Sequence, residues 1–127
     1  MTATLSPETV MACAIISSMH TNEPVLIEGV SGLFARLRQE NIEEVGKVAL
    51  RRLPHGLYSE DVEAFFGRLL AGDFAEAFSP LKVNDEGVKL CQDLVAEADP
   101  EALSKVAQVL GFDLSLIKSR VEQPRPA

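Results

Sequence analysis

The chain is poor in the residues that staple or metallate small folds. It has two cysteines, two histidines and no tryptophan in 127 residues. Nothing in it implies the oxidising compartment that a structural disulfide needs. Cys13 and Cys91 fall at apolar positions of separate predicted helices, where a free thiol behaves as a small buried hydrophobe. His20 and His55 are too few and too distant in sequence to form a zinc site with them. Long apolar runs are missing too. The longest, residues 10–16, falls far short of the roughly 20 residues that span a bilayer. No basic lead followed by an apolar segment and a small-residue cleavage site opens the chain, so no secretory signal is expected. These absences argue against a membrane protein and favour a cytoplasmic one.

Signatures of catalysis are equally scarce. There is no glycine-rich phosphate loop, no nucleophile elbow and no dinucleotide fingerprint. His55 stands in a Pro54-His55-Gly56 turn near Tyr58, the only tyrosine, and reads as a solvent-facing turn residue. Glu43-Glu44 and Asp85-Glu86 are adjacent in sequence, so each pair diverges around its helix and reads as cap or solvated face. The expectation is a protein that is not an enzyme, with no catalytic residue, no metal and no cofactor.

What is present is a core. Apolar residues make up 46% of the chain and mean hydropathy is +0.10. At this length a single domain, residues 1–127, buries about two-thirds of the surface its unfolded chain exposes. Residues 1–5 and 123–127 read as loose tails. Between them the pattern is mainly helical, a compact bundle of six to seven helices. Ser6-Pro7-Glu8 starts a helix over residues 6–19: a hydroxyl cap, proline at the first helical position, an acid on the positive end of the dipole. Ala12, Ile15, Ile16 and Met19 fall at helical spacing, and Val10, Met11 and Cys13 extend the apolar surface nearly all round. Such a helix is either central to the core or covered by a second subunit, which makes a homodimer through residues 6–19 one of two expectations.

Pro24 opens a second predicted helix with Leu26, Val30, Leu33, Phe34 and Leu37 on one face. Gly29 and Gly32 within it suggest close packing or a break. A third helix is expected from Asn41, with Ile42, Val45, Ala49, Leu50 and Leu53 buried, ending at Pro54-His55-Gly56. Ser59-Glu60-Asp61 caps a fourth, whose apolar set (Val62, Phe65, Phe66, Leu69, Leu70) has the cleanest periodicity in the chain. Gly72 reads as its left-handed stop. The period then changes from 3.6 to 2: Phe74, Glu76 and Phe78 alternate with alanines, Ser79-Pro80 turns the chain, and Leu81 and Val83 flank Lys82. A short β-hairpin near residues 74–83 is expected, its rival being one more helical turn. Asn84 caps the next helix, with Val88, Cys91, Leu94, Val95 and Ala98 inward. Asp99-Pro100-Glu101 starts another that ends at Gly111, and a last one covers residues 114–121.

The order helix, glycine, hairpin, capped helix with an early glycine (Gly87) resembles the second half of a winged-helix domain, and with the preceding helices the likeness covers about residues 24–98. The resemblance implies DNA binding, with the helix over residues 59–70 in the major groove. The charges on that helix oppose this use. Glu60, Asp61 and Glu63 occupy its first turns, and Arg68, near the far end, is its only base. Each carboxylate near phosphate would be repulsive. A second helix-turn-helix spacing runs through Ala107, Gly111 and Ile117, and its second helix would present Ser115, Lys118, Ser119 and Arg120.

Net charge is −7, unfavourable for non-specific contact with nucleic acid or anionic lipid. Residues 36–52 carry five bases against three acids, and residues 59–101 eleven acids against three bases. The leading expectation is a protein–protein interaction or regulatory module whose acidic face, led by Glu60, Asp61 and Glu63, meets a partner with a basic surface. The second is a winged-helix-like transcription regulator that contacts DNA through Arg36, Arg38, Arg51 and Arg52, or through Lys118 and Arg120. The third is an acidic nucleic-acid mimic that inhibits a nucleic-acid-binding protein.

Overall fold

The computed structural model describes residues 5–42, 48–54 and 56–118. Among these, six helices and two small antiparallel hairpins follow one another: α1 (Pro7–Thr21), α2 (Ile27–Gln39), β1 (Arg51–Leu53), β2 (Gly56–Tyr58), α3 (Glu60–Ala71), β3 (Ala75–Phe78), β4 (Leu81–Val83), α4 (Asp85–Glu97), α5 (Pro100–Leu110) and α6 (Leu114–Lys118). The mainly helical class and the hairpin near residues 74–83 are as the sequence predicts.

Helix α1 is the centre of the molecule. Ser6 caps it by accepting the Thr9 N–H, Pro7 stands in its first turn, and all eight residues from Thr9 to Ile16 are buried. Its nearly all-round apolar surface finds cover within one chain, chiefly from α4 and α6. Leu5, assigned above to a loose tail, is 2% exposed and belongs to this core.

The region before α3 departs from expectation. Helix α2 begins at Ile27 rather than Pro24, and Leu26, expected to be buried, is exposed at its N-cap. Gly29 and Gly32 neither break the helix nor meet a neighbour within 4 Å of a built Cβ. The predicted third helix is absent over residues 51–53, which form strand β1. Arg51 pairs with Tyr58, Arg52 with Leu57 and Leu53 with Gly56. Gly56 adopts φ +144, which explains a glycine at this turn. Three-residue strands show too little alternation for a period-2 signal, and the Pro-Gly pair reads equally well as a helix stop. Val45 and His55 lie outside the described residues.

Helix α3 is capped by Ser59 and buries Val62, Phe65, Phe66 and Leu69. Leu70, expected inside, is exposed. Gly72 ends the helix without a left-handed turn: its φ is −89, and Asp73 takes the positive φ of 63 instead. Space explains Gly72, since a Cβ there would lie 3.0 Å from the Phe74 ring.

The hairpin β3–β4 turns at a cis Ser79-Pro80 bond. The Leu81 N–H donates to the Val25 carbonyl (2.8 Å), which lays the segment before α2 beside β4 as a one-bridge third strand. Asn84 ties the hairpin to α4: its N–H donates to the Phe74 carbonyl (3.0 Å), its Nδ2 to the Asp73 carbonyl (2.5 Å), and its Oδ1 accepts the Gly87 N–H (2.9 Å). Of the expected inward set of α4, Val88, Cys91 and Val95 are buried, while Leu94 and Ala98 are partly so. Helix α5 starts at Asp99-Pro100 and ends at a left-handed Gly111 (φ 77). Residues 119–127, with Arg120 and the expected tail, lie outside the described residues.

Candidate interaction surfaces

The acids singled out at the start of α3 divide by role. Glu60 pairs with Arg51 at 2.9 Å, both side chains well exposed. One Asp61 carboxylate oxygen accepts the Ala49 N–H at 2.9 Å. The Glu63 side chain is exposed and makes no hydrogen bond or ion pair among the described residues. All three also sit at the positive end of the helix, where carboxylates are favoured by about 0.3–1 kcal/mol each. Two of the three thus hold the preceding segment in place, a role that spacing alone does not reveal.

The bases divide likewise. Arg38 Nη2 donates to the Val48 carbonyl at 2.6 Å. Arg51 lies over the Tyr58 ring, 5.9 Å from its centroid, as it reaches Glu60. The side chains of Arg36 on α2 and Arg52 on β1 are exposed, without a hydrogen-bond or ion-pair partner among the described residues. Of the four residues of the proposed nucleic-acid patch, two are therefore drawn into contacts around residues 48–51. Arg68, the only base on α3, faces Glu8 at 3.6 Å and sits over Phe65. Lys118 is exposed on α6, at the groove between α4, α5 and α6.

Further acids stand on α4, of which Asp93 and Glu97 were not singled out in the sequence. Asp85 and Glu86 belong to its first turn, and Asp99 caps α5 by accepting the Ala102 N–H. Those positions serve the helices. Asp93 and Glu97 do not: both are exposed, neither pairs among the described residues, and Glu97 closes a helix whose last turn has no base. A carboxylate at the negative end of a helix works against the dipole. The signal in the sequence was an acid late in a helix rather than early.

The described residues form a groove on the helical face but bring no catalytic set together in it. A groove of about 540 Å³ between α4, α5 and α6 has Asp93 and Lys118 on its rim, and its floor residues Val95, Leu103 and Ile117 are each at most 4% exposed. Cys13 and Cys91 are buried free thiols. Burial pushes both up to about 12, and at Cys91 the neighbouring Cys13 adds to the shift. A raised thiol stays protonated, the opposite of an activated nucleophile. Among the described residues no group of three or more His, Cys, Asp or Glu is placed to hold a metal ion, and no helix is long and apolar enough to cross a membrane.

Compared with known proteins, the chain matches no family model, no curated protein and no solved structure.

Proposed function

We propose that the chain is a non-catalytic protein–protein interaction or regulatory module, cytoplasmic, whose acidic surface receives a basic partner. The observation that carries this reading is the set of exposed carboxylates left over once the fold's needs are met. Among the described residues the Glu63 side chain is unpaired, and Asp93 and Glu97 stand on α4 with no capping or pairing role. Excess like charge destabilises a small fold modestly and speeds encounter with an opposite surface. Glu60 and Asp61 extend the same chemistry at α3, already engaged by Arg51 and the Ala49 N–H.

The test is kinetic. Replacing Glu63, Asp93 and Glu97 by lysine should slow association with a captured basic partner about tenfold or more at low salt, with the difference shrinking near physiological ionic strength. An unchanged rate at low salt would remove these carboxylates from the interface.

The second reading, a winged-helix-like DNA-binding regulator, is favoured by the order of elements. Helix, short strand at Val25, helices α2 and α3, then a hairpin whose Leu81 bridges to Val25, suit that topology. The charges oppose it, since Arg51 and Arg68 face carboxylates and α3 opens with three acids. Alanine at Arg36 and Arg52 should weaken DNA binding and flatten its salt dependence if the reading holds. The same acids also suit an imitation of nucleic-acid phosphates, a variant of the first reading in which the partner is a nucleic-acid-binding protein.

A further inference from the structure

Residues 48–51 are tied to α2 by one contact and to the first turn of α3 by two, each involving a charged side chain. Arg38 donates to the Val48 carbonyl (2.6 Å), Asp61 accepts the Ala49 N–H (2.9 Å), and Arg51 meets Glu60 (2.9 Å). We propose that this segment is a built-in competitor for the acidic surface, and that a basic partner gains Glu60 and Asp61 by displacing Arg51 and the Ala49 N–H. The inference rests on the acidic-surface reading above and adds a regulatory contact to it.

The contacts themselves show what chemistry this surface accepts. A guanidinium satisfies Glu60, and a main-chain N–H two residues earlier satisfies Asp61. An extended segment bearing an arginine meets both demands, as residues 49–51 do now. The latch is also weak enough to exchange. The Arg51 and Glu60 side chains are 62% and 64% exposed, and an exposed pair of this kind shifts an equilibrium by about two- to fivefold at most. Val48, 4% exposed, keeps the segment anchored at its start, so displacement need not unfold the core.

The probe is a blocked peptide with the sequence of residues 48–53, Val-Ala-Leu-Arg-Arg-Leu, supplied in trans. It has no aromatic residue, and the protein has one tyrosine and no tryptophan, so Tyr58 emission reports the segment that Arg51 leaves. Peptide should bind Arg51→Ala about two- to fivefold more tightly than the unaltered chain. Arg52→Ala makes the same change in net charge at an unpartnered arginine and should bind as the unaltered chain does. Peptide should also perturb Tyr58 emission and accelerate exchange of the Ala49 amide in the unaltered protein. Equal gains in Arg51→Ala and Arg52→Ala, or binding that leaves Tyr58 and Ala49 unmoved, would overturn the competitor while leaving the acidic surface standing. Failure of the peptide to bind even Arg51→Ala would overturn the competitor together with a partner role for Glu60 and Asp61. Should Arg51→Ala not fold, the Ala49 exchange rate in the unaltered chain decides the matter alone.

Discussion

Gly87 is the residue on which the packing of the hairpin against α4 turns. A Cβ built there would lie 2.2 Å from the Phe74 carbonyl oxygen and 2.9 Å from the Val83 side chain. The oxygen is already fixed by the Asn84 N–H, so it cannot retreat cheaply. Gly87→Ala should cost about 2–3 kcal/mol in chemical denaturation, with strand β3 pushed off α4. Gly67 is the contrast. It stands in mid-α3 with nothing within 4 Å of its built Cβ, so Gly67→Ala should stabilise by about 0.5–1 kcal/mol. Equal effects at the two glycines would contradict the packing described. Nothing in the sequence separates these roles, because residue type records conformational freedom but not what lies across the gap. Gly72 makes the point from the other side: its place after α3 suggests a left-handed stop, and the Phe74 ring explains it instead.

Helix ends were legible because capping is local chemistry. Ser6, Ser59, Asn84 and Asp99 each accept an N–H three residues on, and Gly111 turns left-handed where the spacing placed it. The hairpin β1–β2 was not legible, since its pairing is read from contacts across a turn rather than from alternation along a strand. Asp61 and Glu60 were read correctly as first-turn acids, but their hold on Ala49 and Arg51 depends on that hairpin. Between α1 and α4 lies a prediction of pH dependence. Cys13 and Cys91 are raised from an ordinary 9.0 to about 12 in the fold. The unfolded chain gives up these protons first, so their contribution is whole below pH 9 and is lost as pH rises from 9 to 12. Each thiol then removes up to about 1.4 kcal/mol per pH unit across that window. Replacing both by alanine should make the alkaline decline of stability shallower. The same burial predicts that neither thiol reacts with a disulfide reagent at pH 8 until the protein unfolds, when both do.

At the scale of the whole molecule, the apolar and charged residues do separate work. The eight buried residues of α1 organise the core, and its all-round cover within one chain accounts for a helix that the sequence left open to a second subunit. The charge is only partly spent: Arg38 and Arg51 are taken up by backbone and carboxylate, while the side chains of Arg36 and Arg52, and of Glu63, Asp93 and Glu97, remain exposed and unpaired among the described residues. The net charge of −7 is what the proposed preference for a basic protein partner over nucleic acid rests on. The most direct test is affinity capture of the tagged chain from extract of its native cells, with bound DNA and bound proteins both identified, before and after nuclease. A stoichiometric protein with a basic surface should survive nuclease and be lost when Glu63, Asp93 and Glu97 are reversed to lysine. Discrete DNA sites that persist at moderate salt, unaffected by those reversals, would contradict the protein-partner reading and establish the DNA-binding reading in its place.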